Sequence, residues 1–314
     1  MQVPQFADIE KAHRLIEPYI HRTPVLTSKS INQIVGAELF FKCENFQKVG
    51  AFKFRGACNS VFSLSEDEAR NGVCTHSSGN HAAALALAAQ MRGIAAYIVM
   101  PENAPEIKKK AVAGYGAQIT FCKPTQGARE STLRKIAAKT GATEIHPYNY
   151  FNVICGQGTA ARELIEDAGP FDMVMCPVGG GGLLSGTAIS TKALLPGANV
   201  IAAEPAGADD AFRSFHQKQR LPSVNPKTIA DGLLTSLGEL TFEIVVNRVD
   251  DIVTVSEENI VAAMRMVWER MKIIIEPSSA VPLAAILENK VDVKGKRVGI
   301  ILSGGNVDLG KLPF

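Results

Sequence analysis

Residues 172–183 read Asp-Met-Val-Met-Cys-Pro-Val-Gly-Gly-Gly-Gly-Leu, an apolar run followed by Gly179, Gly180, Gly181 and Gly182. The apolar run predicts a buried strand, and the pattern after it predicts a helix. Glycine costs backbone entropy and helix propensity, so four in a row indicate that the backbone must stay bare. Successive N–H groups at the start of a helix can bind a dianionic phosphate. The run is neither a nucleotide P-loop, which needs a closing Gly-Lys-Ser/Thr, nor a GxGxxG dinucleotide fingerprint.

The same alternation of strand and helix patterns continues along the rest of the chain. Strands that are apolar on both faces predict parallel sheets covered by helices, so the fold class is α/β. The β-rich runs lie at residues 39–43, 73–76, 96–100, 118–122, 172–178, 200–203 and 297–302, and helical patterns alternate with them, as at 8–19, 80–92, 105–115 and 257–271.

Composition predicts an ordinary soluble, globular protein. With 314 residues, 46% of them hydrophobic and 20% charged, the chain can bury a large core, and its length suits two lobes. The 33 basic and 31 acidic residues are interspersed, which argues against binding to nucleic acid or to an anionic membrane. The basic run Lys108-Lys109-Lys110 is predicted to be a solvated helix face. The most apolar stretch, 82–89, is too short to cross a bilayer.

The N-terminus and the cysteines indicate a reducing compartment. Asp8, Glu10 and Lys11 fall where a secretory signal would have its apolar core, so we expect a cytoplasmic location. The cysteines show no C-x-x-C spacing and are predicted to be reduced core residues. They are Cys43, Cys58, Cys74, Cys122, Cys155 and Cys176.

Lys53 lies in the apolar, glycine-flanked stretch 50–56, between Phe52 and Phe54. Desolvation in such a setting can lower the pKa of an amine, which an imine-forming lysine requires. Taken alone, a lysine between two phenylalanines is more often a snorkelling surface side chain. Together with the glycine run and the segment Ser77-Ser78-Gly79-Asn80-His81, it indicates an enzyme site built around a phosphorylated aldehyde cofactor.

On these motifs the chain resembles the pyridoxal-phosphate (PLP) enzymes of fold type II, the tryptophan synthase β-like fold with two parallel-sheet lobes and helices on both faces. It is most similar to serine racemases and to serine, threonine and hydroxyaspartate dehydratases, from Thr23-Pro24-Val25-Leu26 through Ser303-Gly304-Gly305-Asn306. The resemblance implies that Lys53 forms the imine with PLP and that the four glycines hold its phosphate. It further implies cofactor contacts from Phe52 beside the ring, Asn80 at the phenolic oxygen, Glu276 near the ring and Ser303 at the pyridine nitrogen.

The resemblance also implies the substrate contacts. Ser77, Ser78, Asn80 and His81 lie in the loop that receives the substrate carboxylate in this family. Ser78 matches the serine that moves a proton on the ring face opposite the lysine, where dehydratases that do not racemise commonly have alanine. The alternative is that Ser78 only caps the helix beginning near Asn80.

A divalent-cation site is implied at residues 204–210, where Glu204, Ala208 and Asp210 match the family's ligands. Two carboxylates and a carbonyl are oxygen donors, which suit Mg²⁺, Mn²⁺ or Ca²⁺ better than zinc.

The resemblance divides the chain into a large PLP-binding domain, 1–72 and 149–314, and a small mobile substrate-binding domain, 73–148. It implies a homodimer and allows activation by nucleotides. Because the sequence ends soon after Asp308, we expect no regulatory module of the kind that follows the catalytic region in biosynthetic threonine dehydratases.

The expected activity is PLP-dependent dehydration, a β-elimination (ammonia-lyase) reaction, of small β-hydroxy amino acids such as L-serine, with serine racemase activity. Dehydration of threo-3-hydroxyaspartate or threonine stays open, because Thr235 and the segment His146-Pro147-Tyr148-Asn149 depart from serine racemases. A second substrate carboxylate would need a cation, for which Arg134 and Lys135 are candidates. The non-enzymatic alternative is a PLP-binding sensor or carrier, which would have no use for Ser78 beside Lys53.

Overall fold

The computed structural model describes residues 2–104 and 106–314. The strands are β1 (Val25–Leu26), β2 (Glu38–Cys43), β3 (Val73–His76), β4 (Ala96–Pro101), β5 (Gln118–Cys122), β6 (Thr143–Glu144), β7 (Met173–Pro177), β8 (Asn199–Pro205), β9 (Asp251–Val255) and β10 (Arg297–Leu302). The helices are α1 (Phe6–Ile16), α2 (Lys29–Val35), α3 (Lys53–Phe62), α4 (Glu66–Arg70), α5 (Asn80–Arg92), α6 (Glu106–Gly114), α7 (Gln126–Thr140), α8 (Phe151–Ala168), α9 (Gly182–Leu194), α10 (Asp210–Gln217), α11 (Glu239–Arg248), α12 (Glu257–Met271) and α13 (Pro277–Leu287).

The larger of two sheets has the strand order β1-β2-β10-β7-β8-β9. All its pairs are parallel except β1 with β2. The central strand β7 is buried at every position, because helices cover both faces of the sheet. One face packs on α12 and α13, and the other packs on α8, α9 and α11. We call this unit the large lobe.

The second sheet is entirely parallel, with the order β5-β4-β3-β6, and all its strands lie between Val73 and Glu144. Its faces pack on α3, α5 and α6 on one side and on α7 on the other. This unit, from β3 to β6, is the small lobe. Both lobes confirm the predicted α/β class. The domain boundaries at residues 72/73 and 148/149 stay a prediction.

The predicted elements correspond closely to the observed ones, with three strands missed. The patterns at 73–76, 118–122 and 297–302 are strands over those residues, and 80–92 and 257–271 are helices over theirs. The predicted start of α6 at Pro105 lies outside the described residues. Strands β1 and β6 are only two residues long, and β9 is half-exposed, so none of them gives a continuous apolar run.

A buried network of charges fixes α3, the helix that begins at Lys53. Arg55 Nε lies 2.7 Å from Glu44 Oε2, and its Nη1 lies 2.8 Å from Glu163 Oε1. Lys42 Nζ binds the same Glu163 carboxylate at 2.7 Å. Forked Arg–carboxylate contacts are directional, and removing one member would leave an uncompensated buried charge. The network therefore sets the orientation in which α3 presents Lys53.

All six cysteines are buried and free, which confirms that they are reduced core residues. Among the described helices, none combines the length and apolarity needed to cross a membrane.

Candidate active site

The ends of the parallel strands converge on one region between the lobes. The glycine loop follows β7, Ser303 follows β10, and the segment 77–79 follows β3. In open α/β sheets ligands bind at this edge, outside the carboxyl ends of the strands. The chain before α3 is joined to the same edge, because Phe52 N donates to Ser303 O at 3.0 Å and Ala51 forms an isolated bridge with Gly304. Lys53 is thereby held beside Ser303.

Lys53 has the environment expected of a reactive amine. Its Nζ donates to the carbonyl oxygen of Pro147 at 2.9 Å and lies 5.2 Å from the centre of the Phe52 ring. Burial lowers the pKa of the amine to about 8, against an opposing effect of the Glu276 charge. Near neutral pH a larger fraction of this amine is therefore unprotonated than of an ordinary lysine, which favours its action as a nucleophile or base.

The glycine loop is bare for two separate reasons. Gly181 has φ +86°, a left-handed conformation that side chains rarely adopt, and α9 begins after it with no side-chain cap. The first N–H groups of α9 are therefore available to an anion. At Gly180, a Cβ atom would lie 2.3 Å from Cγ and Cδ1 of Tyr148, because that ring packs directly on the loop. The loop thus offers free N–H groups and carries no side chains, and both properties are needed to hold a phosphate.

Gly180→Ala should lower the affinity for PLP by about 10-fold or more, since overpacking of this size costs about 1–3 kcal/mol. Absorbance titration of cofactor-free protein measures the affinity. Gly197→Ala is the matched control, because its Cβ would meet no atom within 4 Å. Adding Tyr148→Ala to Gly180→Ala should restore much of the binding. Unchanged affinity in Gly180→Ala would contradict the packing of Tyr148 on the loop.

Ser303 is almost fully buried, and a second serine orients it. Its hydroxyl lies 3.1 Å from Ser279 Oγ, which also donates to Gly304 O at 2.6 Å and accepts from Gly304 N at 2.7 Å. A hydroxyl can share a hydrogen bond with a ring nitrogen but, unlike a carboxylate, does not enforce a full positive charge there.

Asn80 and Glu276 come together from different lobes. Asn80 Nδ2 donates to the Glu276 carboxylate at 3.1 and 3.2 Å, and Asn306 Nδ2 donates to Asn80 Oδ1 at 3.0 Å. Burial, aided by the charge of Asp231, raises the pKa of Glu276 to about 7. A carboxyl that titrates near neutrality can hold a proton next to a cofactor. Asn80 and Glu276 therefore form one unit at the lobe junction.

Ser77 and Ser78 lie in the turn between β3 and α5. Ser77 Oγ accepts from Gly79 N at 3.3 Å. The helix begins with Gly79 as its N-cap and has no side-chain cap hydrogen bond, so Ser78 does not serve as the cap. The bare helix start offers N–H groups for a carboxylate. Among the predicted substrate contacts, the ring of His81 is buried, with Nε2 at 3.1 Å from Ile145 O. Burial, reinforced by the Lys53 charge, lowers its pKa to about 3, so the ring is neutral.

Glu204 and Asp210 form a buried carboxylate pair. Glu204 accepts from Ala211 N at 3.1 Å and from Phe212 N at 2.8 Å, whereas neither oxygen of Asp210 has a partner among the described residues. Burial and the Asp210 charge raise the pKa of Glu204 well above its usual value, and burial raises that of Asp210 to about 6. Within the described parts of the chain, no three His, Cys, Asp or Glu side chains are grouped for a metal. Two carboxylates, one without partners, with the buried Ala208 beside them, still fit an oxygen-ligated cation.

Two groups at the site, the Pro147 carbonyl and the Tyr148 ring, gave no signal in the sequence. The Pro147 carbonyl holds Lys53, and Tyr148, next to it, covers the glycine loop and lies close enough to Thr235 for that residue to lower the pKa of the Tyr148 phenol. Tyr148 and Thr235, two positions at which the chain departs from serine racemases, thus lie close together in the structure. No pattern in the sequence indicates this proximity.

In the small lobe, Arg129 is a cation near the site that the sequence analysis did not single out. Its charge helps to lower the pKa of His76, the residue before Ser77, and its buried Nε has no partner among the described residues. Arg134 and Lys135 are exposed, and Arg134 lies 3.9 Å from Glu130 on its own helix. A solvated role therefore suits Arg134 and Lys135, and Arg129 is the better candidate for an anion.

A family model described as pyridoxal-phosphate dependent enzyme matches residues 16–304. The chain belongs to the pyridoxal-phosphate dependent enzymes. It is 52% identical over 314 residues to the β-hydroxyaspartate dehydratase of Paracoccus denitrificans, covering 100% of both chains. It is 53% identical over 309 residues to the serine racemase of Dictyostelium discoideum, covering 97% of this chain and 95% of that protein. Its structure resembles maize serine racemase with a TM-score of 0.96 and 47% identity, covering 98% and 95% of the two chains.

Membership of this family confirms that the cofactor is PLP and that the protein is an enzyme. The non-enzymatic alternative, a PLP-binding sensor or carrier, is therefore wrong. The chain's own residues fit PLP in three places. The bare glycine loop can take a phosphate, Lys53 supplies an amine of lowered pKa, and Ser303 supplies an oriented hydroxyl.

Proposed function

We propose that the protein is a PLP-dependent dehydratase of small β-hydroxy amino acids that also racemises serine. The observation that carries this proposal is the amine of Lys53, held at 2.9 Å by the Pro147 carbonyl with its pKa lowered to about 8, and close enough to the start of α5 for its charge to act on His81. In the turn before that helix, Ser78 is not used as a helix cap. The similarity to a serine racemase and to a β-hydroxyaspartate dehydratase supports the same reaction types.

PLP would supply an electron sink for the carbanion left when the Cα proton departs. The N–H groups of the glycine loop would hold the phosphate, and the Ser303 hydroxyl would be the hydrogen-bond partner of the ring nitrogen. Lys53 Nζ removes the Cα proton, for which a pKa near the working pH is well suited. The start of α5 and its preceding turn receive the substrate carboxylate, which orients Cα toward Lys53. Loss of the β-hydroxyl as water gives an enamine, which hydrolyses to a keto acid and ammonia.

Racemisation requires a second proton carrier on the other side of Cα. The hydroxyl of Ser78 takes this role in the proposal, because it is partly exposed and is not occupied as an N-cap. Lys53 then exchanges a proton on one face of Cα and Ser78 on the other. The two groups are the minimum needed to invert the centre.

A second candidate function is dehydration of threo-3-hydroxyaspartate. It is favoured by Arg129, whose charge acts on His76 and whose Nε, without a partner among the described residues, could bind a distal carboxylate. It is also favoured by the similarity to a β-hydroxyaspartate dehydratase. Keto acid release from L-serine, L-threonine and threo-3-hydroxyaspartate, with chiral analysis of remaining substrate, separates the candidates. A preference for hydroxyaspartate that Arg129→Ala abolishes would establish the second; no keto acid from any of the three would refute both.

The proposed cation site makes chelation a direct test. A chelator should lower the melting temperature, and Mg²⁺ should restore it, because removing the ion leaves two buried carboxylates facing each other. An ion that binds only the folded state must also stabilise it. Asp210→Asn should abolish the response, whereas Asp209→Asn should retain it, since Asp209 is partly exposed and pairs with Arg213. If neither the chelator nor Mg²⁺ changes the melting temperature, the Glu204–Asp210 pair holds no cation.

The homodimer, activation by nucleotides, the cytoplasmic location and the mobility of the small lobe stay predictions. The amino-acid substrate is part of the proposal above.

A further inference from the structure

An ion pair joins the lobes at the first turn of α6. Lys108 Nζ in the small lobe lies 2.5 Å from Asp231 Oδ2 in the large lobe. The two side chains are 30% and 53% exposed, so the pair lies at the rim of the lobe junction. Asp231 opens a short 3-10 turn, Asp231–Leu233.

The prediction that Lys108, Lys109 and Lys110 form one solvated face holds for Lys110 but not for Lys108 or Lys109, whose side chains are 30% and 18% exposed. Lys109 stays within its own lobe, donating to Glu106 Oε1 at 2.8 Å and to Glu102 O at 2.9 Å. Lys110 is exposed, and no ion pair is formed by it among the described residues. The three lysines thus differ sharply in what they contact.

The turn that receives Lys108 supports the cofactor site. Gly232 N donates to Ser278 Oγ at 3.2 Å, at the start of α13. On its other side the turn packs against the glycine loop, because a Cβ at Gly179 would lie 3.0 Å from Leu233 Cα and 3.3 Å from Gly232 O. The turn is therefore wedged between α13 and the phosphate-binding loop.

We propose that the Lys108–Asp231 ion pair is a positioning latch that holds the small lobe closed on the 231–233 turn when the amino acid binds. The proposed carboxylate-binding turn, 77–79, is in the small lobe, whereas the glycine loop belongs to the large lobe, and the stretch before Lys53 is joined to the large sheet at Ser303 and Gly304. One substrate can contact both only when the lobes are closed, so its apparent affinity scales with the closed fraction. The identity of the substrate that the latch encloses depends on the proposed function, whereas the contacts of the Lys108–Asp231 pair do not.

The size and salt dependence of the effect follow from the exposure of the pair. A partly exposed ion pair contributes modestly, so neutralising Lys108 should raise KM by about three- to fivefold with little change in kcat. Salt screens such pairs, so KM of the wild-type holoenzyme should rise with NaCl over about 0.02–0.5 M. In the Lys108→Met variant that salt dependence should largely disappear.

The experiment compares Lys108→Met, Lys108→Arg and the neighbouring control Lys110→Met as holoenzymes, using the substrate selected by the screen above. Lys108→Arg should keep KM within about twofold because it keeps the charge, and Lys110→Met should match the wild type. An equal rise of KM in Lys108→Met and Lys110→Met would overturn the latch, since it would reflect overall charge alone.

Charge reversal supplies a stricter test. Lys108→Asp and Asp231→Lys should each raise KM more than Lys108→Met does, and the double variant should return KM to within about threefold of wild type. If Asp231→Lys does not retain PLP, the comparison of Lys108→Met, Lys108→Arg and Lys110→Met tests the latch instead. A double variant that folds, binds PLP and shows no recovery would overturn the proposal.

Hydrogen exchange without substrate separates the latch from the proposed function. In the holoenzyme, Lys108→Met should speed exchange of the peptides that contain α6 and the 231–233 turn, and Lys110→Met should not. If the protein turns over none of the three amino acids but shows this difference, the function is wrong and the latch holds. If turnover is normal and exchange is unchanged, the latch is wrong and the function holds.

Discussion

Lys53→Ala should remove covalent attachment of PLP and lower every reaction of the enzyme by about 100- to 10,000-fold, the range for loss of a general acid–base group. The structure gives the physical reason: the amine is held by the Pro147 carbonyl, and burial lowers its pKa to about 8. Borohydride reduction followed by peptide mapping should find the cofactor on Lys53 in the wild type and on no peptide of the variant.

The exposed Lys110→Ala is the control for Lys53→Ala and should leave attachment and turnover unchanged. In cofactor-free protein, the rate of Lys53 modification by trinitrobenzenesulfonate should follow a titration midpoint of about pH 8. Only the unprotonated amine reacts, so a lowered pKa moves the onset of reaction toward neutrality. Reduced cofactor on another lysine would refute the assignment of Lys53.

Ser78→Ala should reduce conversion of L-serine to D-serine by about 100-fold or more, while dehydration of L-serine falls much less. Inversion needs a proton carrier on each face of Cα, but elimination from the L-enantiomer needs only Lys53. Dehydration of D-serine should fall together with racemisation, because its Cα proton faces Ser78. Chiral chromatography and keto acid assays measure the three rates on the same sample.

Stability distinguishes this role of Ser78 from a structural one. Loss of a helix N-cap costs about 1 kcal/mol, but α5 has no side-chain cap, so Ser78→Ala should leave the free energy of unfolding nearly unchanged. Ser78→Thr, which keeps a hydroxyl, should retain part of the racemisation. A parallel fall of racemisation, L-dehydration and PLP affinity, with lower stability, would show that Ser78 is structural and that the two-base mechanism is wrong.

The sequence by itself was enough to predict the fold class and the components of the cofactor site. A buried parallel strand is apolar along its whole length, so β7 and β10 are visible as runs, and a bare phosphate loop is visible as consecutive glycines. Lys53 could be singled out because its neighbours are apolar or glycine, which predicts a desolvated amine. These signals are local in the chain, and local chemistry is what a sequence records directly.

Only the tertiary structure decided which distant groups share the site. It placed the Pro147 carbonyl on Lys53, the Tyr148 ring on Gly180 and Asp231 on Lys108, pairs separated by 32 to 123 positions that no periodicity connects. It also gave Lys108 an ion-pair partner in the other lobe and left Lys110 exposed to solvent, although both belong to one run of three lysines. The physical reason is that a side chain's partner is set by how helices and loops of two lobes pack across their junction. That packing depends on the whole chain, and so do the pKa values of Lys53, Glu276 and Asp210 that follow from it.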